Sequence, residues 1–120
     1  MITITQAEAV KAYLKVLEIY KQPMNPQISR KLYTLKNKLK ESFDFQGDQE
    51  TKIINKYNGT PLENGAFHFE GEGVIEKVTE EIQELANTEV TIDMEPIDLL
   101  SQNIQISGED IESIQAFIVL

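Results

Sequence analysis

The sequence predicts an α+β fold: an N-terminal helical hairpin, a small sheet of two or three short strands, and two further helices. Three observations support this prediction. Apolar residues recur at helical spacing in two long segments between residues 6 and 57, short alternating runs broken by Gly, Asn and Pro follow, and two more amphipathic stretches occupy residues 72–86 and 108–117. The length fits one domain, predicted to span residues 1–120.

The first helix is predicted over residues 6–21. Thr5 can cap it while Glu8 reaches back to the Thr5 amide, which is the reciprocal pattern of a capping box. Pro23 ends it, because a proline ring inside a helix removes a hydrogen bond and clashes with the preceding turn. Steps of four, three and three residues define its predicted apolar stripe, which two neighbours widen: Val10, Leu14, Leu17 and Tyr20, with Tyr13 and Val16.

The second helix is predicted to begin at Pro26 and to run to about Tyr57, forming a hairpin with the first. Asn25 is a good N-cap, and proline suits the first helical position because its missing amide would be unpaired there anyway. Gly47 costs up to ~1 kcal/mol relative to alanine inside a helix, so the segment is either bent there or continuous. We favour the continuous helix because its stripe stays in register across the glycine: Ile28, Leu32, Leu35, Leu39, Phe43, Ile54 and Tyr57.

Shorter elements are predicted after the Asn58–Gly59 turn signal. Residues 66–70 alternate in polarity and suit a short strand that turns Phe67 and Phe69 inward. A third helix is predicted over residues 72–86. Its core face is expected to consist of Ile75, Val78, Ile82 and Leu85.

Two strands, a helical turn and a final helix are predicted for the C-terminal third. Residues 89–94 alternate and are predicted to form a strand that ends before Pro96. A helical turn over residues 97–100 is expected to cover the core, and residues 104–106 are expected to form a third strand. Ser107 is the predicted cap of the last helix. The residues expected to face inward are Val90, Ile92 and Met94 of the strand and Ile111, Ile114 and Phe117 of the helix.

Composition excludes several classes of function. The net charge of -9 argues against non-specific binding to nucleic acid or to anionic membranes, which needs clustered positive charge. The lack of cysteine removes disulfide scaffolds, thiolate metal sites and cysteine nucleophiles. The N-terminus lacks the positive and apolar regions of a signal peptide, and no apolar run is long enough to span a bilayer. We therefore expect a cytoplasmic protein that does not associate with membranes.

The charge is divided between the two halves of the chain. Residues 1–60 hold ten of the eleven basic residues and six of the twenty acidic ones, a balance of +4, whereas residues 61–120 have a balance of -13. This polarity marks a partner-binding face or, more simply, a basic helix packed beside acidic elements of the same fold. The candidate partner-binding residues are Arg30, Lys31, Tyr33, Lys36, Lys38 and Lys40 in the second helix, and Glu76, Glu80 and Glu84 in the third.

The sequence contains no catalytic or cofactor signature, so we expect a protein that is not an enzyme and that uses no cofactor or metal. His68, the single histidine, is expected to face solvent from its strand. The carboxylates of residues 93–98 and of the third helix are typical of a solvated face, the alternative being a divalent-cation site. The glycines of residues 71–73 lie among carboxylates that would repel a phosphate.

Four segments occur in an order typical of one group of proteins: Met24–Pro26, Ile53–Tyr57 before an Asn-Gly turn, the acidic stretch Asn87–Ile97, and Ile106–Ile111. In this arrangement the chain resembles, over nearly its full length, a group of small uncharacterised proteins of tailed bacteriophages and prophages. The resemblance implies phage origin and a small α+β fold, and it carries over no catalytic or binding residues.

These observations lead to one leading expectation about function and two alternatives. The leading expectation is a phage or prophage accessory protein of the host cytoplasm that binds a protein partner and modulates or inhibits a host factor, defence systems included. The first alternative is a virion morphogenesis or structural component, for which self-association into a homo-oligomer matters more. The second is a nucleic-acid-binding accessory factor that uses the basic stretch of the second helix.

Overall fold

Four helices and six short strands make up the part of the chain that the computed structural model describes, residues 1–99 and 104–119. The fold is α+β and begins with a helical hairpin, as predicted. The elements in chain order are β1 (Ile2–Thr5), α1 (Gln6–Tyr20), α2 (Pro26–Lys56), β2 (Thr60–Pro61), β3 (Phe67–His68), α3 (Val74–Ala86), β4 (Glu89–Ile92), β5 (Ile97–Asp98), α4 (Gly108–Ile114) and β6 (Ile118–Val119).

The helical hairpin begins with the two caps that the sequence predicts. Thr5 Oγ1 accepts a hydrogen bond from the Glu8 amide at 3.2 Å, and Glu8 Oε1 accepts one from the Thr5 amide at the same distance. At α2, Asn25 Oδ1 accepts from the Gln27 amide at 2.8 Å, and Pro26 occupies the first helical position. These side chains pair backbone amides that have no partner inside the helix, so they fix where each helix starts.

α2 continues through Gly47 as one helix of 31 residues. A β-carbon built on Gly47 would meet no heavy atom within 4 Å.

We expect Gly47→Ala to raise the free energy of unfolding by about 0.5–1 kcal/mol, because alanine loses less backbone entropy in a helix. Urea denaturation followed by circular dichroism checks this value. The matched control is Gly73→Ala, which forces a side chain into a left-handed conformation at φ 76° and is expected to destabilise; a destabilised Gly47→Ala would contradict the expectation.

The core face of α1 differs from the predicted stripe. The buried residues include Ala9, Ala12, Val16 and Ile19, whereas Leu14 is 49% exposed. Tyr13 and Val16 are buried as predicted, and Leu17 and Tyr20 pack against the core. The centre of the buried face nevertheless lies about 100° around the helix from that of the predicted stripe, one residue's rotation. Apolar residues occupy more than one face of this helix, and two of its fully buried positions are the small residues Ala9 and Ala12. Periodicity that weighs large side chains most heavily consequently displaces the predicted core face toward Leu14.

Strands from both ends of the described chain complete the core. β1 pairs antiparallel with β4, with Ile2 opposite Ile92, and β6 pairs in parallel with β5, with Ile97 opposite Ile118. The third pair, β2 with β3, is a separate hairpin. The prediction of β4 is confirmed, but β1 and β6 were not predicted, and the described strands form three two-stranded sheets rather than one. The hydrophobic cluster around these strands contains Leu32, Leu35 and Leu39 of α2 and Ile114 and Phe117 near the C-terminus.

Two predictions for the C-terminal third were wrong. The helical turn predicted over residues 97–100 is strand β5, because the Ile97 amide donates to the Phe117 carbonyl at 2.7 Å; Leu100 lies outside the described residues. Residues 104–106 form no strand. Instead, the Gln22 side chain takes the place of a partner strand, donating to the Gln105 carbonyl and accepting from the Gln105 amide, both at 2.9 Å.

The second half of α2, the β2–β3 hairpin and α3 form an arm that extends the molecule to 55 × 30 × 22 Å. Among its described residues, Val78 is buried, while Ile75 is 59% and Phe67 is 41% exposed. Their predicted core positions were therefore wrong, since none of the described helices and strands covers these two side chains. α3 also begins two residues later than predicted, because Gly71 and Gly73 adopt left-handed conformations before it.

Candidate functional site

The five basic residues predicted to form one face of α2 do not share a face. At 3.6 residues per turn, Lys36 and Lys40 lie on one flank of the buried leucine stripe and Lys31 and Lys38 lie on the other. Arg30 points away from the stripe. The continuous basic surface that nucleic-acid binding requires is thus divided around the helix.

Two of these cations are engaged within the fold. Lys38 Nζ donates to the backbone carbonyl of Asp93 at 2.9 Å, which ties α2 to the end of β4. Lys40 Nζ forms an ion pair with Asp44 at 2.9 Å, one turn further along α2. This hydrogen bond to Asp44 raises the pKa of the Lys40 ammonium. Both lysines therefore have structural partners.

Two aromatic rings lie close to Lys36 near the end of the hairpin where the link joins α1 to α2. Lys36 Nζ lies 4.7 Å from the centre of the Tyr33 ring and 5.1 Å from that of Tyr20, within the range of cation–π attraction. The two rings are 6.0 Å apart and, with Pro26 and Arg30, line an open depression of about 500 Å³. Lys36 and Tyr33 are thus brought together, whereas Lys38 and Lys40 are directed elsewhere.

The acidic candidates Glu76, Glu80 and Glu84 are exposed along α3 and form no ion pair within the described residues. The ion pairs that join the basic and acidic halves use other residues: Lys15 with Asp110 at 3.0 Å, and Lys56 with Glu81 at 2.7 Å. Basic and acidic halves of the chain therefore do pack together through ion pairs, but through residues that were not among the candidates predicted from the sequence.

The ion pair between Lys56 and Glu81 joins the end of α2 to α3. The hydrogen bond from Lys56, followed by one from the Tyr57 hydroxyl, holds the pKa of the Glu81 carboxyl below its ordinary value. The same contact with Glu81 raises the pKa of Lys56 and of Tyr57. Glu81 thus binds a proton less tightly in the folded chain than in the unfolded chain, so its ionised form stabilises the fold.

We expect the effect of Glu81→Gln to depend on pH. Because the folded pKa is lowered, the stabilisation is fully present above the unfolded value of about 4.3 and is lost as the pH falls through the folded value. The urea midpoint of Glu81→Gln should fall below that of the unaltered chain at pH 7, and this difference should become smaller as the pH is lowered toward 3. Glu80→Gln, which removes an exposed carboxylate, serves as the control. A difference of equal size at both pH values would contradict the expectation.

A groove of about 570 Å³ separates α2 from β4. Six consecutive residues, 88–93, line one side, and no residue of β1 does. Since side chains alternate between the two faces of a strand, a groove lined by consecutive residues follows the edge of the strand rather than a face. β1 occupies one edge of β4, and within the described residues no strand pairs with the other. We call this feature the β4 groove.

The two walls of the β4 groove are joined at both ends. Near the start of β4, Gln6 is 1% exposed, its amide donates to the Thr88 carbonyl at 2.8 Å, and its side-chain Nε2 donates to the Ser42 carbonyl. At the other end, the hydrogen bond from Lys38 to the Asp93 carbonyl spans α2 and β4. These contacts fix the distance between the two walls. Ligand binding would therefore not require the walls to become ordered.

The lining of the β4 groove combines carboxylates with one aromatic ring. Glu41, Glu89 and Asp93 are exposed, and Phe45 on α2 is 47% exposed. Lys38 is the one cation among the lining residues. Sequence reasoning predicted β4 but missed the groove, because the groove depends on the pairing with β1. The available signal was the alternation of Ile2, Thr3, Ile4 and Thr5.

The other candidates for chemistry are the carboxylates and the single histidine of residues 1–99 and 104–119. Among these residues, no three His, Cys, Asp or Glu side chains are grouped closely enough to hold a metal ion. His68 is exposed on β3 as expected, but Phe67 is exposed as well, so the predicted alternation does not account for it. None of the helices described is both long and apolar enough to cross a membrane.

Comparisons of this chain with protein-family models, with curated proteins and with solved structures give no match.

Proposed function

We propose that this chain is a phage- or prophage-encoded accessory protein that binds a protein of the host cell and modulates or inhibits it as a non-enzymatic module. The phage origin is proposed on the sequence resemblance alone. The observation that supports protein binding is the edge of β4 with which none of the described strands pairs, and which faces the open β4 groove. On this proposal the groove is where the partner binds.

An unpaired strand edge presents a row of backbone N–H and C=O groups that can pair with another chain. Adding a strand to such an edge is a common way of recognising a polypeptide: the backbone supplies hydrogen bonds and the side chains supply selectivity. Here α2 stands beside the edge and limits access to the width of the groove. The groove therefore suits the addition of one extended segment to β4 better than edge-to-edge pairing with the sheet of another protein.

The proposal is tested with two matched double variants. Phe45→Ala/Glu89→Lys alters both walls of the β4 groove, while Phe67→Ala/Glu76→Lys makes the same changes at exposed positions of the arm. Tagged chains are expressed in the bacterial host, the retained protein is identified by mass spectrometry, and its affinity is remeasured with purified components. We expect the partner to bind the unaltered chain and the arm variant with similar affinity, and to bind the groove variant at least tenfold more weakly.

Three outcomes contradict this proposal. Unchanged affinity of the groove variant would show that the partner binds elsewhere. Loss of affinity in the arm variant alone would place binding on the exposed apolar residues of the arm. If the purified chain instead forms a defined oligomer that the arm variant dissolves, as judged by sedimentation velocity, a self-associating virion component becomes the better interpretation.

A further inference from the structure

The open edge of β4 determines how a bound segment would run. Along a strand, successive residues direct their backbone N–H and C=O groups to opposite edges, so half of the residues Glu89–Ile92 present theirs to the groove. A segment lying 4.7–4.9 Å away would pair with those groups and extend the two-stranded sheet of β1 and β4 to three strands. The segment must therefore be extended.

The two faces of β4 have different chemistry. Val90 and Ile92 turn toward the core, while Glu89 and Thr91 lie on the outer face, where Thr91 Oγ1 is 3.3 Å from Thr3 Oγ1. An added strand continues both faces. Its outer side chains would lie beside the carboxylates of Glu89 and Asp93, and its inner side chains beside Val90 and the ring of Phe45. Carboxylates favour cationic neighbours across strands, and apolar side chains favour apolar ones.

The charges around the β4 groove favour a basic ligand. Glu41, Glu89 and Asp93 line it, and none of their carboxylates forms an ion pair within the described residues. The one lining cation, Lys38, is already bonded to the Asp93 carbonyl. Attraction between this acidic lining and a basic segment would also speed their encounter, since the whole chain carries a charge of -9.

A second copy of this chain is a poor occupant of the groove. If β4 paired with β4 of another copy around a two-fold axis at Thr91, Glu89 would lie opposite Asp93, which places like charges side by side. None of the described strands contains a lysine or an arginine. The chain therefore offers no described strand with the charge that the groove favours.

We propose that the β4 groove binds an extended segment of a partner protein in which lysine or arginine alternates with apolar residues, and that this segment pairs with β4 as a third strand. This inference rests on the proposed binding function and specifies the chemistry of the partner. The basic side chains contact Glu89 and Asp93, and the apolar ones contact Phe45.

The first test uses a capped seven-residue peptide that alternates lysine with valine, titrated into the ¹⁵N-labelled full chain. We expect saturable chemical-shift changes at residues 88–93 and at Phe45. Glu89→Gln/Asp93→Asn should weaken binding about fivefold at low salt, while Glu76→Gln/Glu80→Gln, an equal loss of charge on α3, should change it less than twofold. Equal weakening by the two double variants would overturn the assignment of the charges.

The second test addresses strand pairing directly. Two versions of the peptide are N-methylated, one on every lysine and the other on every valine. Because alternate amides of a strand point to opposite edges, methylation of one set removes the hydrogen bonds to β4 and methylation of the other does not. We expect the two versions to differ at least tenfold in affinity. Equal affinities would overturn strand pairing.

The charge pattern and the binding function can fail separately. A peptide that alternates glutamate with valine should not bind; if it binds as tightly as the lysine peptide, or if the lysine peptide does not bind, the basic ligand is overturned. The proposed function fails on different evidence, namely retention of the cellular partner by the Phe45→Ala/Glu89→Lys variant.

Discussion

Replacing Phe117 with alanine is expected to lower the free energy of unfolding by about 3–5 kcal/mol. Phe117 is 1% exposed and is the largest of the fully buried side chains in the described residues. Its removal takes apolar area out of the core and leaves a cavity that the neighbouring strands β5 and β6 can fill only in part. A loss of this size is a large part of the 5–15 kcal/mol that stabilises a typical domain.

Urea denaturation followed by far-ultraviolet circular dichroism measures this loss. Phe67→Ala is the matched control, because it removes the same atoms from an exposed position on β3. We expect the control to cost about 1 kcal/mol or less. If both variants lost the same stability, the C-terminal segment would not be part of the core as described.

Leu35→Ala is expected to cost about 2–5 kcal/mol. Leu35 is fully buried midway along the stripe of α2 that faces α1 and the strands. Leu14→Ala makes the same chemical change on α1, at a position whose side chain is about half exposed, and should cost clearly less.

The pair of leucine variants also tests the phase of α1, when thermal or urea unfolding of both is measured under the same conditions. Equal losses in the free energy of unfolding would show that Leu14 is buried in the core, as the sequence predicts. A small loss for Leu14→Ala would support the face formed by Ala9, Ala12, Val16 and Ile19.

The features that were predicted well from the sequence are local ones. Thr5 with Glu8, and Asn25 with Pro26, specify helix starts through contacts that span three residues or fewer. The continuity of α2 through Gly47 followed from the register of its own apolar residues. In each case the signal and the structure that it specifies lie in the same short segment, so no knowledge of the rest of the fold is required.

The features that were missed depend on distant partners. The alternation in Ile2–Thr5 is too short to identify a strand unless β4 is known to lie beside it. In the same way, Ile118–Val119 is too short to be identified without its partner β5. The β4 groove follows from the first of these pairings, because that pairing decides which edge of β4 stays open. The basic candidates of α2 were chosen by closeness in sequence, but the helix turns Lys36 and Lys38 to opposite flanks.

The pairing of β1 with β4 has a consequence for the order of folding. Thr3 and Thr91, which face each other across this pair, are 88 positions apart in the chain. Closing so long a loop lowers the entropy of the chain before any stabilising contact has formed. By contrast, α1 and α2 are adjacent in the chain and can pack together early. The helical hairpin therefore provides a platform on which β4 docks late. The groove between α2 and β4 forms only at that step. A partner that binds the groove would therefore recognise the folded chain and not its folding intermediates.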